Sequence, residues 1–144
     1  MKGVAWKAGS RWLSVLGGAL LSLGLGWPGA GRGLAAAGPA VLTLTRGGTT
    51  PYTVVQSDAA TEAERFAVRE LTNFLQRVTG AAFPMAVESA AGHAAPYIYV
   101  GWTEYAAEQG IEPAQLGEEE WILRTVGTNL VLTGGRPRGT LYAV

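Results

Sequence analysis

DAATEAERFAVRELTNFLQRVTG, residues 58–80, reads as one long amphipathic helix. Ala63, Phe66, Ala67, Leu71, Phe74, Leu75 and Val78 recur at helical spacing and define the stripe expected to face a core. Thr61 followed by Glu64 fits a capping box, in which the hydroxyl takes an orphan amide and the carboxylate reaches back. Asp58 is a rival cap. Glu62 and Glu64 suit the positive end of the helix dipole, Arg77 suits the negative end, and Gly80 can take the left-handed turn that stops the helix. The stripe offers no His or Cys, and the helix acids are expected to face water. Its burial against a sheet, rather than any chemistry on it, is what the pattern predicts.

The chain has 144 residues, 48% hydrophobic and 15% charged, which suits one globular domain. It contains no cysteine, so disulfides, thiolate metal sites and a cysteine nucleophile are excluded. The formal charge is zero, but Lys2, Lys7, Arg11 and Arg32 all precede Ala37. The seven basic and eleven acidic residues that remain give −4. A mildly acidic body lacks the clustered positive surface that nucleic acid requires.

Lys2, Lys7 and Arg11 precede an apolar run from Trp12 to Trp27, then Pro28, then Ala35-Ala36-Ala37. This is the layout of a secretory signal peptide over residues 1–37, cleaved before Gly38. The run is shorter than the ~20 residues of a spanning helix, so no stable membrane anchor is expected after cleavage. The mature domain is then residues 38–144, secreted or periplasmic.

Within it, Ala40 to Thr45 and Tyr52 to Gln56 read as strands around the turn Arg46 to Pro51, suggesting a hairpin. Phe83 to Val87 is a short strand that Pro84 confines to a strand start or sheet edge. Tyr97 to Gly101 is apolar enough for a central strand, and Thr103 caps a short helix ending before Gly110. Trp121–Val126 and Leu130–Thr133 form a hairpin around Gly127-Thr128. Its register sets Leu123 opposite Leu132 and Thr125 opposite Leu130, with Trp121, Leu123, Leu130 and Leu132 on the core side. The fold class is therefore α/β (an α+β sandwich): a mixed sheet carrying one long helix and a shorter one.

Candidate chemistry is sparse. His93, the only histidine, stands alone in the small-residue loop SAAGHAAP. Glu118-Glu119-Glu120 are adjacent, and on an extended chain they point to alternate sides. Gly134 to Thr140 is a Gly-rich strand-to-helix loop, but it lacks the lysine of a P-loop and Pro137 removes an amide. No catalytic, cofactor or metal residue is expected. Arg136 and Arg138 could hold an anion or a carboxylate of a neighbouring domain. With Tyr142 they are the candidates for interdomain contact. Leu141 to Val144 start a helix with no stop signal, the expected mark of a fragment.

The ordered set ERFAVRELTNFLQRVTG, PYIYVG, EEWILRTVGTNLVLTGG and RPRGTLYAV resembles the N-terminal domain of alpha-glucuronidases, a type of domain that also precedes the barrel in beta-hexosaminidases. Glu119-Glu120 stand before Trp121 where that family commonly has a glycine. The resemblance covers Ala40 to Val144. It implies a non-catalytic α/β domain packed on a C-terminal (β/α)-barrel that carries the catalytic carboxylates. It also implies a setting in polysaccharide degradation. Hydrolysis of a glycosidic bond needs two carboxylates flanking that bond, and no such pair is apparent here. A rival reading makes the chain a carbohydrate-binding module, stacking sugars on Tyr97, Tyr99, Trp102, Tyr105 and Trp121.

Overall fold

The computed structural model describes residues 41–92 and 96–144. The proposed signal peptide, Ala40 and His93 lie outside the described residues.

Five strands form one mixed sheet: β1 (Thr53–Gln56), β2 (Met85–Val87), β3 (Tyr97–Val100), β4 (Trp121–Val126) and β5 (Asn129–Gly134), in the order β2-β1-β3-β5-β4. β2, β1, β3 and β5 run parallel, and β4 is antiparallel at the edge. Three helices are α1 (Glu62–Thr79), α2 (Glu104–Glu108) and α3 (Gly139–Ala143). The class matches the sequence reading, and α3 is the helix whose start the sequence placed at Leu141.

α1 begins and ends as its sequence dictates. Thr61 Oγ1 accepts from the Glu64 amide at 3.2 Å, and Glu64 Oε2 accepts from the Thr61 amide at 2.7 Å. Gly80 closes the helix at φ +73°. The buried face, however, is rotated from the predicted one. Glu64, Ala67, Val68 and Thr72 are buried, with Leu71 and Leu75 packed at the margin. Phe66, Phe74 and Val78 are exposed. Hydrophobicity alone weighted the two phenylalanines above Thr72, whose hydroxyl satisfies itself on the Val68 and Arg69 carbonyls and so can be buried.

The sheet has a core on each face. Val54, Ile98, Val100 and Leu132 pack with α1 and α3, while Val55, Tyr97, Tyr99 and Val131 pack with α2 and Ile111. β3 is buried along its whole length, as a central strand covered on both sides requires. Thr103 Oγ1 caps α2 at 3.2 Å, and β2 is an edge strand with Pro84 just before it, as read from the sequence.

Two strand expectations fail. Residues 41–45 form no strand, and the Arg46–Pro51 region contributes a single bridge, Arg46 with Thr49, around Gly47 and Gly48 at positive φ. The β-rich composition of Val41 to Thr45 finds no neighbouring strand, and Leu44 packs on the core instead. The β4–β5 hairpin has the predicted register, Leu123 opposite Leu132 and Thr125 opposite Leu130. Yet Trp121 and Leu123 are 52% and 54% exposed on their supposed core face, because α3 covers this edge only in part.

Candidate functional site

β1 leads into α1 on one face of the sheet, and its neighbour β3 leads into α2 on the other. Between their C-terminal ends lies the crevice where open parallel sheets hold ligands. In this chain the crevice is filled from within.

Glu64, 1% exposed, projects from the first turn of α1 into that position. Its Oε2 accepts from the Thr61 amide, from Thr61 Oγ1 at 3.0 Å and from Arg136 Nη2 at 3.0 Å. Its Oε1 accepts from the Trp102 amide and from Arg136 Nε, both at 3.3 Å. The Arg136 guanidinium lies 4.1 Å from the Trp102 ring centroid, and Trp102 Nε1 donates to the Gly134 carbonyl at 2.7 Å. One carboxylate thus ties together the loops after β1, β3 and β5. Gly101, at φ +88°, permits this approach, since a Cβ there would meet Glu64 Cδ at 3.2 Å.

The electrostatics follow from these contacts. Burial pushes the Glu64 carboxyl up, but the hydrogen bonds from Arg136 and Thr61 and the Arg136 charge outweigh it, holding the group below its ordinary 4.5. Asp58, in the loop after β1, is lowered by hydrogen bonds from the Ser89 hydroxyl and amide. Glu88 accepts from the amides of Glu104 and Tyr105 at 2.7 and 2.8 Å and so serves as a cap for α2. The carboxylates of Glu64, Asp58 and Glu88 all close loops or helix ends. Among the described residues no group of three or more His, Asp or Glu could hold a metal.

The sequence-derived candidates separate. Arg136 is engaged by Glu64 inside the domain, whereas Arg138 and Tyr142 are exposed on or beside α3. Glu118 and Glu119 are exposed, and Glu120 Oε2 accepts from the Gly117 amide at 2.8 Å. The Gly134–Gly139 loop leaves no phosphate cradle. A Cβ on Gly134 would lie 2.3 Å from Gly139 C and 2.6 Å from Glu120 O, so these glycines serve close backbone packing. Of the aromatics, Tyr97 and Tyr99 are buried, and Tyr99 stacks on Tyr105 with centroids 4.1 Å apart. Burial first, then neighbouring phenols and carboxylates, pushes the Tyr99 hydroxyl up to about 12. One face of Trp102 is occupied by Arg136.

Sequence reasoning missed Glu64 as the centre of this arrangement. The capping box gave its local role, but it was expected to face water with the other helix acids. Its burial depends on Arg136, 72 residues away, which no local pattern reveals.

No curated protein matches the chain. The family described as glycosyl hydrolase family 67 N-terminus matches residues 46–144, well over half of the chain. That description is of an N-terminal domain and implies a C-terminal catalytic domain in the full protein. The chain belongs to this family, the N-terminal domain of alpha-glucuronidases.

Proposed function

We propose that residues 38–144 are a non-catalytic support for a secreted alpha-glucuronidase-like enzyme of xylan or related polysaccharide breakdown. The domain packs against a C-terminal (β/α)-barrel, which supplies both catalytic carboxylates. The observation that carries this reading is the filled crevice: Glu64 and Arg136 satisfy each other where a ligand would otherwise sit. A charged pair locked this way stabilises loops and offers no free acid or base. Secretion rests on the basic start, the apolar run to Trp27 and Ala35-Ala36-Ala37.

The support role is tested by removing residues 38–144 from the full-length enzyme and following thermal unfolding and soluble yield. The barrel is expected to lose roughly 5 °C or more in Tm, since an interdomain interface contributes to its stability. A barrel with unchanged Tm, yield and turnover would show that this domain supports nothing.

A further inference from the structure

Trp102 is an aromatic that the domain only partly uses. It follows β3 and is half-buried. Its indole is fixed in place: Nε1 donates to the Gly134 carbonyl at 2.7 Å, and the Arg136 guanidinium lies 4.1 Å from the ring centroid. Part of its remaining surface lines a hollow of about 370 Å³ between α2 and the loop that follows it. Arg136 does not line that hollow, so the indole presents to it surface that the guanidinium leaves free. Ile111 and Pro113, both buried, and the exposed Ala107 and Ala114 supply the other apolar walls. The volume lies in the lower part of the ~300–1,000 Å³ range of small-molecule sites. Ligands of open parallel sheets sit outside the carboxyl ends of the strands, and this hollow lies beyond the end of β3.

Two charged residues line the hollow, Glu104 and Glu112, both exposed. Glu112 Oε2 accepts from Gln115 Nε2, and its other oxygen is unused among the described residues. The first amides of α2 are already taken: those of Glu104 and Tyr105 by Glu88, and that of Ala106 by Thr103 Oγ1. The binding groups are therefore the indole, the apolar walls and the two carboxylates. A ligand that fits them combines a flat apolar face for the indole with hydroxyl donors around its edge for the carboxylates. A pyranose ring is built this way, with C–H groups on its face and hydroxyls at its rim. Two carboxylates repel an anion, so the fitting sugar is uncharged.

We propose that this hollow binds a neutral pyranose unit of a polysaccharide, stacked on Trp102 and donating hydroxyls to Glu104 and Glu112. The site grips the sugar chain and takes no part in breaking it. The inference rests on the polysaccharide setting proposed above and adds a second task to the support role.

The test is calorimetric titration of the full chain with xylotetraose, an uncharged chain of pyranose units. Saturable heat with a Kd at or below about 1 mM is the expected result. Ala107→Leu fills the hollow from an exposed helix position and leaves Trp102 in place. It should abolish the heat while shifting Tm by less than about 3 °C. Glu104→Gln/Glu112→Gln should weaken binding about tenfold, because two charge-assisted hydrogen bonds become neutral ones. Trp102→Ala should abolish binding too, but it also removes packing from Arg136, so Ala107→Leu is the decisive variant. Absence of saturable heat, or heat unchanged in Ala107→Leu, would overturn the proposal. So would equal or tighter binding of a glucuronate-branched oligosaccharide or of butylammonium, since the site would then select charge rather than a neutral sugar. The domain-removal experiment reads barrel stability and is independent of these titrations, so the two readings fail separately.

Discussion

Glu64→Ala is expected to destabilise the domain by about 2–4 kcal/mol, a fall in Tm of roughly 10–20 °C. Removing one partner of a buried ion pair costs about 3–5 kcal/mol in a dry interior. The lower range applies here because the Arg136 side chain is 34% exposed and can recover water. The substitution also removes half of the capping box and leaves the Thr61 and Trp102 amides without their acceptor. Glu64→Gln, which keeps the shape, should cost less, and the pH dependence separates charge from shape. Because the carboxyl is held below its ordinary 4.5, its contribution is complete above that pH. It is lost as the pH falls through the lower folded value. The wild-type midpoint should therefore drop steeply in that acid window, and Glu64→Gln should flatten the slope. A residual slope is expected from Asp58, which is lowered in the same direction. Thermal scans from pH 3 to 7 on both proteins provide the measurement, and parallel curves would remove Glu64 from the account.

Gly134→Ala is the second large effect. The new methyl would sit 2.3 Å from Gly139 C and 2.6 Å from the Glu120 carbonyl, both backbone atoms that cannot swing aside. Overpacking ordinarily costs about 1–3 kcal/mol, and a clash with backbone belongs at or above the top of that range. A loss of at least about 3 kcal/mol in denaturant unfolding is the expected result. Gly127→Ala is the contrast: it has positive φ, +59°, but open space around it. It should cost only about 1 kcal/mol, the backbone penalty alone. If Gly134→Ala folds with wild-type stability, the loop is looser than described and the case against a phosphate cradle there weakens.

How much could be read from the chain follows from the range of the forces. The capping box at Thr61 and Glu64, the left-handed Gly80, the Thr103 cap and the β4–β5 register are local, set within a few residues, and all are present. The face that α1 buries depends on what lies opposite. Phe66 and Phe74 outrank Thr72 in hydrophobicity, but position relative to β1 and β3 decided burial. The strand expected over Ala40 to Thr45 is absent from residues 41–45 for the same reason, since β-propensity without a partner strand makes no sheet. Glu64 is the clearest case. Its sequence neighbours explain its hydrogen bonds to Thr61, whereas its burial and its pairing with Arg136 and Trp102 arise only when three loops meet.

The exposed surface tells a related story. Leu123 and Trp121 were assigned to the core side, and they do lie on that face, but among the described residues α3 covers it only in part. Their alternation is the pattern of a strand with a covered face. A face so patterned and only partly covered is not an ordinary solvent surface.

The central claim is that this domain carries no glycosidic chemistry of its own, its crevice being closed by Glu64 and Arg136. The direct measurement is incubation of purified residues 38–144 with aryl glycosides and glucuronoxylan fragments, at enzyme concentrations high enough to detect slow turnover. No product above the buffer blank is the predicted result. Turnover abolished by changing a single carboxylate in residues 38–144 would contradict it.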